Sequence, residues 1–273
     1  MRLPVVSGSF YPRNKKQLTE ILSSFKNKIK IVPARCYGVI SPHAGYVYSG
    51  ETAVAALSSV DLKEVETVVI LGPNHTGWGN AIGISSEDWE TPLGIIKNDI
   101  ELSEKIPEMC LAKIDNNAHS NEHSIEVQLP LIQYLAKNHQ IKIVAISMID
   151  QTAESCEALA KAIFKISNDL NRKILIVASS DFTHYEAADI VEKKDRKLIA
   201  PLLAGDVKNF EETRKSENIS CCGHGPIMVL AYYANLRGFG GAELLRYTHS
   251  GAITGDYTEV VGYAAVRFLE TLF

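Results

Sequence analysis

Short runs rich in valine and isoleucine alternate along this chain with stretches whose apolar residues are spaced three and four apart. Apolar runs of this length are typical of strands that are buried on both faces of a sheet. They occupy residues 37–41, 67–72, 141–147 and 173–180. The helical spacing covers residues 14–30, 122–137, 153–169, 187–204 and 226–236. The alternation predicts an α/β fold in which a central, mostly parallel or mixed β-sheet is flanked by helices.

Further apolar segments extend this predicted sheet without dividing the chain. Residues 258–268 are expected to form a last strand, and residues 81–86 and 244–249 are weaker strand candidates. Pro130 and Pro201 are expected to kink or end their helices. Neither a Gly/Ser-rich linker nor an internal repeat interrupts the sequence, so residues 1–273 are interpreted as a single domain.

Charge and cysteine content restrict the kinds of partner and compartment. The chain has 28 Lys and Arg against 32 Asp and Glu, a net charge of -4, so we expect no nucleic-acid partner. No apolar run approaches membrane-spanning length, and the proline-interrupted start does not resemble a signal peptide, so we expect no membrane and a cytoplasmic protein. Five cysteines, with no C-x-x-C pair, are expected to be reduced thiols or at most a ligand.

Polar side chains follow the predicted strands where each one ends. His43 follows the first strand in VISPHAGY, His75 follows the second in VVILGPNHTG, and Asp181 and His184 follow the strand at 173–180. The carboxyl ends of parallel strands meet at one edge of an open sheet, which is where such folds bind ligands. A single histidine at a strand end is usually an ordinary loop residue, but three at one edge indicate a metal or catalytic site.

Two histidines do not complete a metal site, and the segment SCCGHGPIMVLAYY offers a sulfur ligand. Cys222 lies close to the predicted start of a helix, where the exposed amides and the helix dipole favour a thiolate. Cys221 beside it is a candidate for a small buried thiol. Sequence spacing alone does not choose between the two.

A rival metal motif, HSNEH at residues 119–123, fits the H-x-x-E-H pattern of certain zinc hydrolases. The residues before it are rich in turn formers, so we expect the helix to begin near Asn121 and to leave His119 outside it. Such a helix would place His123 and Glu126 on one face. Glu122 and Glu126 are interpreted either as further site residues or as acids that are solvated or paired with a lysine.

Five motifs in this order resemble the Memo family: PHAGYVYSG, GPNH, NEHSIEVQLP, SSDFTHY and CCGHGPI, spread over residues 42–227. That family is similar in fold to the class III non-haem iron extradiol dioxygenases, so the resemblance implies the same architecture here. It also implies that the residues of this chain at the matching motif positions form a metal site and its catalytic surroundings. The implied metal ligands are His43, His75 and Cys222, and the implied catalytic residues around them are His184, Asp181 and His123.

The resemblance also implies which metals and partners to expect. A cysteine stands where the dioxygenases have a carboxylate, and this softer ligand would change the potential of iron and would also suit copper or zinc. Iron(II) is the first expectation. Memo proteins are described partly as iron- or copper-dependent redox proteins and partly as binders of phosphotyrosine peptides, and prokaryotic members often neighbour a radical S-adenosylmethionine protein, which is a possible pathway partner.

Three functions therefore follow as hypotheses. The first is a redox protein that activates dioxygen at a His/His/Cys site, with His184 as an acid or base and Asp181 as a residue that orients a ring or caps a turn. The second is a module that binds a peptide or partner protein without turnover. The third is a zinc-dependent hydrolase. The arginines are scattered singly, which offers no cluster for a phosphate group, and the substrate, small molecule or peptide, stays unnamed.

Overall fold

The computed structural model describes residues 1–137 and 139–271 as helices packed on both faces of one mixed sheet. The strands are β1 (Cys36–Ser41), β2 (Thr67–Pro73), β3 (Ile82–Ile84), β4 (Trp89–Thr91), β5 (Gly94–Asn98), β6 (Lys113–Ile114), β7 (Lys142–Met148), β8 (Ile174–Ser179), β9 (His184–Glu186), β10 (Ala242–His249) and β11 (Val260–Leu269). The helices are α1 (Lys15–Lys28), α2 (Tyr46–Ser58), α3 (Ile100–Lys105), α4 (Leu129–Ala136), α5 (Ala153–Asp169), α6 (Ala188–Leu203), α7 (Val207–Ser216), α8 (His224–Leu236) and α9 (Gly251–Thr254).

Four parallel strands form the centre of the sheet. The order of neighbours is β10-β11-β1-β8-β2-β7-β3-β6, and the pairs β1–β8, β8–β2 and β2–β7 are all parallel. Towards the edges, β11, β10 and β3 pair antiparallel with their inner neighbours. The predicted α/β class with a mixed central sheet is therefore confirmed, and the strands predicted at 37–41, 67–72 and 173–180 do end at one common edge.

Alternate residues of each central strand enter two separate hydrophobic clusters. In β2, Val68 and Ile70 pack with α1, α2 and α4, whereas Val69 and Leu71 pack with the helices on the opposite face, among them α5 and α8. All four side chains are fully buried. Burying such a side chain is worth about 1.5–3 kcal/mol relative to exposure, so the apolar runs hold the sheet between the two helical layers.

Two segments differ from the expectation based on periodicity. The helix expected to begin near Asn121 begins at Leu129, after a 3₁₀ turn at Glu126–Gln128, so that expectation and the shared helical face of His123 and Glu126 are wrong. The carboxylate of Glu122 accepts hydrogen bonds from the His123 and Ser124 amides, which competes with helix formation there.

Helix α2 was not indicated by periodicity because it is buried on most of its faces and so lacks a polar stripe.

The first residues of the chain are tied to the segment before α4 by a buried ion pair. The Glu126 carboxylate is fully buried, binds the Arg2 guanidinium, and accepts hydrogen bonds from Tyr11 Oη at 2.6 Å and from the amides of Val5 and Val6. Arg2 also donates to the carbonyl oxygen of Glu122 at 2.8 Å. Glu126 is thus neither solvated nor paired with a lysine, and the pair fixes the path of residues 119–126.

None of the helices within the described ranges is both long enough and apolar enough to cross a membrane.

We predict that Arg2→Met destabilises the fold by about 3–5 kcal/mol, because it leaves the buried Glu126 carboxylate without its cation. The matched control is Lys28→Met, which breaks the largely exposed pair between Lys28 and Glu51 and should cost about 1 kcal/mol or less. Urea unfolding monitored by circular dichroism measures both changes. Equal losses in the two variants would contradict the anchoring role of Arg2.

Candidate metal centre

Three histidines converge at the carboxyl edge of the central strands. His43 follows β1, His75 follows β2, and His123 lies in the irregular segment before α4. One ring nitrogen from each lies within 4.8 Å of the others. The ring centroids are 5.2 Å apart for His43 and His75, 5.5 Å for His43 and His123, and 4.7 Å for His75 and His123. The predicted meeting of His43 and His75 is therefore observed, and His123 completes the cluster.

A buried carboxylate orients His75. Glu122 Oε1 lies 2.9 Å from His75 Nδ1 and also accepts hydrogen bonds from the His123 and Ser124 amides at 2.9 and 2.8 Å. Burial alone would raise the pKa of Glu122, but the hydrogen bond and charge of His75 and the Ser124 amide outweigh it and lower this pKa to about 2. An ionised carboxylate only accepts, so His75 Nδ1 carries a proton, and in the neutral ring Nε2 is left with its lone pair.

His43 is the most deeply buried histidine of the cluster, with 2% of its surface exposed. Burial, followed by the nearby His75 and His123, lowers its pKa well below the usual range, which favours the neutral imidazole that binds metals. Its Nδ1 lies 2.9 Å from Ser179 Oγ and its Nε2 lies 3.3 Å from Cys222 Sγ. The ring is thus held at one nitrogen and faces the cluster with the other.

His123 is packed between aromatic rings. It stacks on His75 at an interplanar angle of 21° and contacts Phe10 of the first segment at a centroid distance of 4.7 Å. Burial lowers the pKa of His123 as well. The resemblance described above implies a catalytic role for His123 beside the metal ligands, whereas the structure brings His123 into the group that could hold an ion.

Cys222, the predicted third ligand, lies next to the three-histidine group and outside it. Its sulfur contacts His43, while Cys221 turns the other way and contacts Ser180 Oγ at 3.3 Å. Burial, and then the Asp181 carboxylate, raise the pKa of the Cys222 thiol well above its usual range, opposite to the lowering expected from the helix dipole. A metal would have to displace the thiol proton, so the ligand role of Cys222 stays a prediction.

Asp181 and His184 occupy the same edge, at the end of β8. Asp181 Oδ1 accepts a hydrogen bond from the backbone amide of His43 at 2.9 Å, so it holds the backbone of His43 and not a ring. Burial raises the pKa of Asp181 to about 6. His184 Nδ1 lies 2.8 Å from the Ser220 carbonyl oxygen. A carbonyl only accepts, so His184 Nδ1 carries the proton and its Nε2 can accept another.

The H-x-x-E-H interpretation fails on the position of His119. This side chain is fully buried, its Nε2 lies 3.1 Å from the Gly83 carbonyl oxygen, and its ring packs edge-on against Trp89. Residues 121–125 are not helical, so His119 and His123 do not lie one helical turn apart. His119 and His123 therefore do not pair as the two zinc ligands of this motif. Burial lowers the pKa of His119 to about 4.

Two glycines allow the loops of the centre to approach the strands. A Cβ on Gly72, near the end of β2, would lie 2.4 Å from Ser124 Oγ, and a Cβ on Gly223 would lie 2.4 Å from the Ser179 carbonyl oxygen. Any larger residue would push away the segment that carries His123 or the loop that carries Cys222. Sequence reasoning did not identify these contacts, or Ser179 and Phe10, because each depends on a partner far away in the chain.

Comparison with known proteins gives a consistent result over nearly the whole chain. A family model described as Memo-like protein matches residues 2–267. A protein described as a MEMO1 family protein from Methanocaldococcus jannaschii is 41% identical over 97% of this chain and 98% of its own length. Another from Nitrosopumilus maritimus is 39% identical over 98% of this chain and its full length. A solved structure of an uncharacterized protein from Escherichia coli K12 is more distant, with a TM-score of 0.49 and 11% identity over 85% of this chain and 99% of that one.

We predict that His119 makes the protein acid-sensitive. Its folded pKa of about 4 lies below the unfolded value of 6.5, so the unfolded state binds more protons and stability falls as pH drops from 6.5 through 4. The full effect is on the order of 3 kcal/mol. Unfolding free energies measured between pH 7 and 4 should fall less steeply for His119→Gln than for the unchanged protein. Parallel slopes would show that His119 does not carry the effect.

Proposed function

The chain belongs to the Memo-like protein family, and we propose that it is a metal-dependent redox protein that activates dioxygen. The convergence of His43, His75 and His123 at one strand edge carries this proposal. Iron(II) is the proposed metal, as the family resemblance implies.

The residues present fit a transition metal. Imidazole nitrogens bind iron, copper and zinc, and a cysteine sulfur beside them favours the softer of these ions. In its neutral form His75 offers Nε2 as a donor atom, and burial lowers the pKa values of His43 and His123, which favours their neutral forms. Glu122 supports His75 as a carboxylate commonly supports a metal-bound histidine, fixing both the ring orientation and the tautomer.

When bound, iron(II) would supply the one-electron chemistry and the open coordination positions that dioxygen requires. The protein would supply orientation and proton transfer. His184, whose Nδ1–H is committed to the Ser220 carbonyl, presents Nε2 as a base. Asp181 holds the His43 backbone, and Cys222 adds a sulfur whose proton a metal can displace.

We predict that His43→Ala, His75→Ala and His123→Ala each abolish tight metal binding, because each removes one donor of the cluster. Cys222→Ser should weaken binding, whereas the matched control Cys221→Ser should not, since Cys221 faces Ser180. Metal content after anaerobic loading and calorimetric titration measure the effect. Loss of metal in Cys221→Ser with retention in Cys222→Ser would reverse the assignment of the two cysteines.

We predict that the iron(II)-loaded protein consumes oxygen with a suitable reductant or catechol-like compound. His184→Gln should keep the metal and slow turnover by about a hundredfold or more, because a positioned acid or base usually accelerates a reaction by at least that factor. His139→Gln is the matched control, because His139 bonds the Val65 carbonyl near the opposite ends of the strands. A protein that binds only zinc, or that shows no oxygen uptake with iron or copper, would contradict the redox proposal and favour hydrolysis or simple binding.

A further inference from the structure

We propose that Ser179 sets the tautomer of His43, so that this histidine keeps its proton on Nδ1 and presents a bare Nε2 to the histidine cluster. The purpose of this arrangement rests on the proposed metal-binding function. The arrangement itself follows from a buried hydrogen-bond network of protein side chains and backbone carbonyls. Ser179 would be a positioning residue, since it acts on the metal only through His43.

The hydrogen of the Ser179 hydroxyl is committed to a backbone carbonyl. Ser179 Oγ lies 2.6 Å from the carbonyl oxygen of Ser124. A carbonyl oxygen can only accept a hydrogen bond, so the single hydroxyl hydrogen of Ser179 must point to it. Every other contact of this hydroxyl must therefore be one in which Ser179 accepts.

The side chain of Gln128 occupies one of the two remaining lone pairs. Its Nε2 lies 2.9 Å from Ser179 Oγ and 3.0 Å from the Pro42 carbonyl oxygen, and its Oε1 accepts a hydrogen bond from Ser41 Oγ at 2.8 Å. The Pro42 carbonyl fixes the orientation of the amide, because only the NH₂ group can face it. Gln128 thus donates to Ser179 and prevents the hydroxyl from turning towards it.

His43 Nδ1 takes the last lone pair of Ser179, at 2.9 Å. Since Ser179 has no further hydrogen to give, His43 Nδ1 must be the donor and must carry the ring proton. A neutral imidazole has one proton, so His43 Nε2 is unprotonated. This is the nitrogen that lies 3.3 Å from Cys222 Sγ and faces the cluster.

Burial makes this assignment durable. Ser41, Ser124, Gln128 and Ser179 are all fully buried, so their hydrogen bonds are not exchanged with bulk solvent. A buried hydrogen-bonding group left without a partner is unfavourable, which penalises the alternative tautomer. His75 is oriented by an anion, Glu122, whereas His43 is oriented by the neutral hydroxyl of Ser179. The direction of the Ser179 hydroxyl hydrogen therefore decides the tautomer of His43.

Ser41 provides a matched control for Ser179. The two residues are register partners at the ends of the parallel strands β1 and β8, both are fully buried, and both contact Gln128. Only Ser179 contacts His43. Ser179→Ala should therefore disturb His43, and Ser41→Ala should remove a comparable buried hydroxyl without doing so.

The test is nitrogen-15 NMR of the metal-stripped, histidine-labelled full chain, with His43→Gln used to assign the His43 signals. We expect the Nδ1–H tautomer in the unchanged protein, in Ser41→Ala and in the conservative Ser179→Thr. Ser179→Ala should show a mixture or the Nε2–H tautomer. An Nε2–H tautomer in the unchanged protein, or an unaltered His43 in Ser179→Ala, would overturn the inference.

Metal titration of the same variants separates this inference from the proposed function. Ser179→Ala should bind iron(II) about 10–100-fold more weakly, as is usual when the partner of a ligating histidine is lost, while Ser41→Ala and Ser179→Thr retain affinity. Failure of every variant to bind metal would defeat the proposed function and leave the tautomer result standing. If Ser179→Ala does not fold, the tautomer of the unchanged protein and of Ser179→Thr still decides the question.

Discussion

Parallel pairing of β1, β8, β2 and β7 is the constraint on which the rest of the structure depends. It buries four strands on both faces and brings their carboxyl ends to one edge, so the residues that follow them meet there. The sheet places the His43 loop and the His75 loop on either side of the end of β8, whose own loop carries Asp181. His43 and His75 are near each other because β1 and β2 flank β8 and run in the same direction.

Hydrogen-bond partners determine how the histidines at this edge are oriented, both for the buried His43 and for the exposed His75. His75, His43 and His184 each have Nδ1 in contact with a different kind of acceptor: a carboxylate, a hydroxyl and a backbone carbonyl. In each case the partner retains the proton on Nδ1. Three different kinds of acceptor thus hold Nδ1 of the three histidines. This leaves Nε2 of each ring as the nitrogen available to a metal or a proton.

The sheet and its edge could be predicted from the sequence because strand burial and strand ends are local signals. Runs of valine and isoleucine identified the strands, and the residues after them identified His43 and His75. The place of His123 was beyond local reasoning, because residues near 122 have helical spacing. The Glu122 carboxylate accepts hydrogen bonds from the amides of His123 and Ser124, and it is oriented by His75. The contact between Glu122 and His75, which interrupts the helix, exists only after folding.

The least predictable part of the centre is also the part that depends on the start of the chain. His123 does not follow a central strand, and only its neighbour Ser124 is bonded to the strand ends, by Ser179 Oγ and the Pro73 carbonyl. Its segment is also held by Arg2, which binds the Glu122 carbonyl and the buried Glu126, and by Phe10, which packs against the His123 ring. Two histidines are thus held by the central sheet and the third by a segment that folds onto it. The geometry of the cluster therefore requires the amino-terminal residues to be docked, which couples any metal site here to the packing of the first eleven residues.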